Sequence, residues 1–210
     1  MNSLTSMYID GGEFMHPILL VFILGLIFSF ERLYTLRKSK INTKAFVEKV
    51  TRTINEQGIE QAKALCEKTP GSVSSVFHAG LQRHDEGLDS VEKAIMTYGG
   101  IETGFLEKGL IWISLFIALA PMLGFTGTVQ GMIEAFEAIK EANQISPAIV
   151  AGGIAKALIT TLFGLVVAMI LQVFYNFFVA KIDGIISDME ESSVQLIDSL
   201  YSHKQKKENK

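Results

Sequence analysis

The sequence predicts an all-α integral membrane protein with three transmembrane helices. Composition is the first observation: 49% of the 210 residues are hydrophobic, and the mean hydropathy is +0.32. Segregation is the second. Residues 15–36, 109–137 and 149–180 are nearly free of charge, and the charged residues crowd between and after them. Length is the third: each apolar stretch reaches the about 20 residues that a helix needs to cross a hydrocarbon core. Inside that core the chain must satisfy every backbone N–H and C=O by itself, so each span reads as a helix. The formal net charge of −3 gives no basic footprint for a nucleic acid. The expected environment is a lipid bilayer.

Residues 1–14 are polar and short, with Gly11-Gly12 and no basic segment ahead of an apolar core. They read as an extramembrane N-terminus, not a cleavable signal. The first span, 15–36, carries Pro17 in its first turn, where proline is tolerated. It closes at Glu31-Arg32, and His16 reads as an interfacial residue. Residues 37–108 read as a small helical domain. Phe46, Val50 and Ile54, then Ile59, Ala62 and Leu65, recur at helical spacing in a charged background. Pro70-Gly71 marks a turn, and Val76 to Gln82 and Val91 to Tyr98 are two more amphipathic pieces. His78 and His84 have no cysteine or histidine at a zinc spacing and read as solvated or packed. Cys66, the single cysteine, reads as a reduced, half-buried thiol.

The second span, 109–137, has Trp112 near its start as an interfacial aromatic. Glu134, Glu137 and Glu141 lead into a turn, 138–148. The third span, 149–180, is longer than a ~30 Å core requires at about 1.5 Å per residue. Ile182, Ile185, Ile186, Met189, Val194, Ile197 and Leu200 continue an apolar stripe, so the helix is expected to project through 181–210 toward Tyr201. The tail ends in Lys204, Lys206, Lys207 and Lys210. Basic residues set the orientation. None precedes the first span, Arg37, Lys38, Lys40 and Lys44 follow it, and the turn carries Lys140. By the positive-inside rule the N-terminus and the turn lie outside, and the helical domain and tail inside.

The second span is rich in small and polar residues for an apolar helix: Ala120, Gly124 and Thr128 form one row at a spacing of four, and Gly127, Gly131 and Ala135 a second. Such rows let helices approach closely in lipid, so the second span is expected to pack against other helices on more than one side, including helices of other subunits, with Gly124, Gly127 and Gly131, and Gly164 on the third span, as the packing candidates. Spans two and three form an antiparallel hairpin, so residues equidistant from its turn share a depth. Thr128 and Thr161 are symmetric about the Gln144–Ile145 junction, and Glu134 and Lys156 about Ile145. The threonines then form one polar layer in mid-membrane, and Glu134 with Lys156 a second layer nearer the outer face. A hydroxyl in hydrocarbon must bond a carbonyl, a partner helix or water. Bonding its own helix is the plainer reading for Thr126 and Thr160. For Thr128 and Thr161 the matched depth puts a bond to a partner helix or to water in a pathway level with it. No catalytic triad, CxxC pair or P-loop is present, and GFTGTVQG lacks the Gly-Lys-Ser/Thr end of a nucleotide cradle. Enzymatic chemistry and a bound cofactor are not expected.

Residues 123–136, LGFTGTVQGMIEAF, and 152–168, GGIAKALITTLFGLVVA, followed by Tyr175-Asn176, resemble the two motif spans of the MotA/TolQ/ExbB family. The first span ending in Glu31-Arg32 fits the same pattern, and three spans rather than four place the resemblance in the ExbB/TolQ branch. The resemblance covers most of the chain. It implies a subunit of an ion-driven motor in a bacterial inner membrane. It implies a homo-oligomer, a pentamer, around a central pore that holds helices of an ExbD/TolR-like single-span partner. That partner would supply the membrane aspartate that takes and releases protons, and a TonB- or TolA-like protein would receive the work. Thr128 and Thr161 match the family's pore-lining threonines. Lys156 departs from the pattern, where these proteins usually have glutamate. A lone lysine in a span is costly, and Glu134 at similar depth offers the compensating charge. A self-contained channel or transporter and a structural membrane scaffold stay open as alternatives.

Overall fold

The structure, a computed structural model, describes residues 3–39, 41–144 and 146–208. Lys40, Ile145 and Lys210, which enter the charge bias and the hairpin midpoint above, lie outside them, as do the side chains of Lys204, Lys206 and Lys207. Among the described residues every regular element is helical. They run α1 Ser3–Asp10, α2 Met15–Ser39, α3 Thr43–Glu56, α4 Ile59–Lys68, α5 Ser72–Gln82, a 3-10 turn His84–Glu86, α6 Leu88–Glu107, α7 Leu110–Ala142 and α8 Pro147–Glu208. Among the described residues, three helical stretches are long and apolar enough to cross a membrane. The protein is therefore an all-α, multi-pass membrane protein. α1 is a finding that the polar N-terminal composition did not suggest. It ends where Gly11 N–H donates to Met7 O at 3.0 Å and Gly12 N–H to Ile9 O at 3.1 Å.

The chain forms two compact units: Met1–Arg32 with Gly109–Phe177, and Leu33–Lys108 with Phe178–Lys210. In the first, Ile18 and Val21 of α2, Phe116 and Ala120 of α7, and Val167, Ala168 and Leu171 of α8 make one buried cluster. Gly25 lets α2 close on it, since a Cβ there would stand 2.6 Å from Leu171 Cδ1. Gly109 caps the start of α7, and its φ of +100° suits glycine. A Cβ at Gly109 would also stand 3.0 Å from Arg32 Nε. Arg32 is buried and bonds both carboxylate oxygens of Glu31, at 2.8 and 2.9 Å. Met122, Phe125 and Val173 stay exposed, a surface suited to lipid or to another subunit.

In the second unit, Phe46, Val47, Val50 and Ile54 are the buried positions of α3. Its N-cap, Asn42, accepts from Ala45 N–H at 3.3 Å, satisfying one of the orphan donors of the first turn. The Phe46 and Phe77 rings lie 5.7 Å apart. Thr43 Oγ1 donates to Asp188 Oδ2 at 3.4 Å, and the Thr51 and Ser199 hydroxyls meet at 3.2 Å, tying α3 to the C-terminal half of α8. The buried stripe of that half differs from the expected one. Val194 is 59% exposed while Leu196 is buried, because at about 100° per residue Leu196, seven residues after Met189, stays within about 20° of its face, whereas Val194, five residues after it, lies about 140° away. Cys66 is fully rather than half buried, at 2% exposure, and burial pushes its thiol up to about 12.

Candidate functional site in the helical hairpin

α7 and α8 form a hairpin whose turn is made by Asn143, in the left-handed region at φ +46°, and by Pro147 as the first residue of α8. Proline suits that place because the N–H it lacks has no helical partner there. The two helices then meet along glycines. A Cβ on Gly124 would lie 2.9 Å from Thr160 O and 3.1 Å from Thr161 Cα. One on Gly127 would lie 2.7 Å from Thr160 Oγ1, one on Gly131 3.1 Å from Ala157 N, and one on Gly164 2.6 Å from Ala120 O. All four glycines face the other helix of the same chain. The close packing expected of them is therefore within the subunit, and the rows read from the second span are one intrachain seam. Gly153 and Ala157 supply its other side, with Gly153 against Ala135 Cβ. Their spacing of four on the third span was the signal that sequence reasoning passed over.

This seam brings the threonines together. The Thr128 and Thr161 hydroxyls lie 2.9 Å apart. Both also reach the carbonyl of Gly124, Thr128 at 3.1 Å and Thr161 at 3.3 Å. Thr160, which is buried, donates to Ala157 O at 2.8 Å and reaches the same Gly124 carbonyl at 3.4 Å. Thr126 bonds its own helix, at Met122 O, 2.8 Å away. Gly124 O thus lies within reach of three hydroxyls, a role no side-chain pattern announces. Each hydroxyl has one proton and two lone pairs. Two arrangements satisfy Thr128 and Thr161. Either Thr128 donates to Gly124 O and Thr161 to Thr128, or Thr161 donates to Gly124 O and Thr128 to Thr161. Both arrangements leave hydroxyl lone pairs free to accept from water.

The second polar layer also closes. Lys156 Nζ donates to Glu134 Oε2 at 2.5 Å, and Gln130 Nε2 donates to Glu134 Oε1 at 3.2 Å. The pair is part-exposed, at 27% for the lysine side chain and 41% for the glutamate. Among the described residues no group of three or more His, Cys, Asp or Glu is placed to hold a metal ion.

Comparison with known proteins fits this geometry. Residues 68–191 match the model of the MotA/TolQ/ExbB proton channel family. The chain belongs to that family. The match takes in the threonine layer and the ion pair. The chain is 31% identical over 190 residues to an ExbB homolog of Methanothermobacter thermautotrophicus, covering 90% of this chain and 67% of the relative. It is 28% identical over 168 residues to the Tol-Pal system protein TolQ of Pseudomonas aeruginosa, covering 75% and 73%. With the biopolymer transport protein ExbB of Salmonella typhimurium the identity is 31% over 93 residues, covering 44% of this chain and 38% of that one. These relatives belong to the ExbB/TolQ branch. A MotA/TolQ/ExbB protein is of a transport and channel type rather than an enzyme type.

Proposed function

We propose that this ExbB/TolQ-type chain is a subunit of an inner-membrane motor that turns ion flow into mechanical work. In this reading several copies, a pentamer, surround the transmembrane helices of an ExbD/TolR-like partner. The partner's membrane carboxylate exchanges protons beside the Thr128–Thr161 layer, and a TonB- or TolA-like protein receives the work. The N-terminus and the hairpin turn lie in the periplasm, and the second unit and the tail in the cytoplasm. The observation that carries the proposal is the hydroxyl pair on one backbone carbonyl. Two hydroxyls 2.9 Å apart, inside an apolar hairpin, can reverse their hydrogen-bond direction without moving a heavy atom. That suits a group that must accept from a partner and release again.

The experiment is proton uptake into liposomes holding this chain and its co-encoded single-span partner, followed with a pH-sensitive dye. Uptake is expected from the pair of proteins and not from this chain by itself. Thr161→Val keeps the shape and removes the hydroxyl. It is expected to slow uptake about tenfold or more, the effect of losing ~1.4 kcal/mol from one hydrogen bond. Undiminished uptake in a Thr128→Val/Thr161→Val variant would remove both residues from the pathway.

A further inference from the structure

Lys156 carries a charge inside a span, and Thr160 and Thr161 follow it by four and five residues, about one helical turn. A free ammonium there would repel any cation approaching the hydroxyls. The structure holds it elsewhere. Gly12 turns the chain at φ +72°, with its N–H on Ile9 O and its carbonyl accepting from Met15 N–H, each at 3.1 Å. The turn lies directly on the lysine stem. A Cβ on Gly12 would overlap Lys156 Cε and stand 2.7 Å from Nζ and 3.5 Å from Cδ. Its neighbour Gly11 is backed by Met15 and Ile159, the latter 3.1 Å from where a Cβ would sit. The Tyr8 hydroxyl, 2.7 Å from His16 Nδ1, joins α1 to the start of α2. The lysine is thus confined between a hydrogen-bonded turn and the Glu134 carboxylate.

We infer that Gly12 is a positioning residue for Lys156: its bare backbone clamps the lysine stem, so that the ammonium stays on Glu134 and out of the threonine layer. The inference rests on the reading of that layer as part of an ion pathway. It accounts for how this chain tolerates a cation inside an apolar span. Any side chain at position 12 displaces the lysine tip first, because a flexible four-carbon stem yields more easily than a hydrogen-bonded turn.

The test uses the full chain with its single-span partner and a membrane-soluble carbodiimide, which joins a carboxylate to an amine it touches. Mass spectrometry of the digested protein reads the Glu134–Lys156 cross-link. Gly12→Asn is the variant of choice, since asparagine accepts a left-handed backbone yet brings the offending Cβ. The cross-link is expected to fall about tenfold, the loss that ~1.4 kcal/mol of displacement gives, and proton uptake to fall with it. In a Glu134→Gln/Lys156→Ala background, which removes the stem that a Cβ at position 12 would meet, Gly12→Asn is expected to lower the thermal midpoint by less than in the unmodified chain, only the strain of the turn remaining. An unchanged cross-link, or an equal loss of midpoint in both backgrounds, overturns the positioning role. A lost cross-link with full proton uptake overturns the exclusion from the pathway. Absence of uptake in the unmodified complex overturns the proposed function, while the cross-link still decides what Gly12 does.

Discussion

At the scale of single residues, the Glu134–Lys156 contact makes a quantitative claim. Removing one partner of a fully buried pair costs ~3–5 kcal/mol. Here the side chains are 27% and 41% exposed, so Lys156→Met is expected to cost less, about 1–3 kcal/mol. Adding Glu134→Gln recovers much of it, and thermal denaturation of the four proteins of the cycle measures the coupling. Strictly additive losses would mean that the two groups do not interact. Cys66 makes a second claim. Its thiol is raised from 9.0 to about 12, so the folded chain favours the protonated form. That stability is fully present below pH 9 and is lost as the pH rises through about 12, up to about 4 kcal/mol. Stability curves from pH 8 to 12 are expected to fall in the wild type more steeply than in Cys66→Ala. Parallel curves would show that the thiol is not held protonated.

At the scale of elements, the α7–α8 seam decides what the glycines do. A leucine at Gly127 must displace Thr160, whose hydroxyl and Cβ lie 2.7 and 2.8 Å from the added Cβ. The variant is expected to lose about 1–3 kcal/mol or more by overpacking and to melt earlier, as an intrachain fault. Gly152 is the contrasting case, since nothing lies within 4 Å of its Cβ position. Gly152→Leu is expected to melt like the wild type. If it nonetheless abolishes assembly, measured as native mass in detergent, that face of α8 meets another subunit. A Gly127→Leu chain with an unchanged melting temperature would show that the seam is looser than the structure has it.

At the scale of the whole molecule, the lysine and arginine bias gives a topology that labelling can check. Cysteines at Ser6 and Ser202 are expected to react with impermeant maleimide from opposite sides of the membrane. Cys66, buried and held as the thiol, should stay silent in the folded protein. Reaction of both introduced cysteines from one side would refute three spans with opposite termini. Native mass of the complex with the proposed single-span partner then counts the copies, and a mass other than five copies of this chain would correct the proposed pentamer.

Features that depend on composition along the chain were legible before any fold was known. Three apolar stretches of sufficient length dictate three helical spans, because a segment of about 20 apolar residues crossing a bilayer satisfies its own backbone polar groups only as a helix. Matched distances from the Asn143–Pro147 turn were enough to set Thr128 level with Thr161 and Glu134 level with Lys156, since two helices with the same rise keep their register. Rotation about the helix axes was not legible, because contacts across a seam follow from which faces meet and not from depth. Tertiary structure decided that Gly124, Gly127 and Gly131 meet α8 of their own chain, and that Thr160 joins Thr128 and Thr161 on the Gly124 carbonyl. It decided also that Gly12, far from Lys156 in sequence, lies against its stem. A backbone carbonyl and a glycine have no side-chain signature. Their part in the site comes from the close approach itself, which the chain attains only when all its helices have packed.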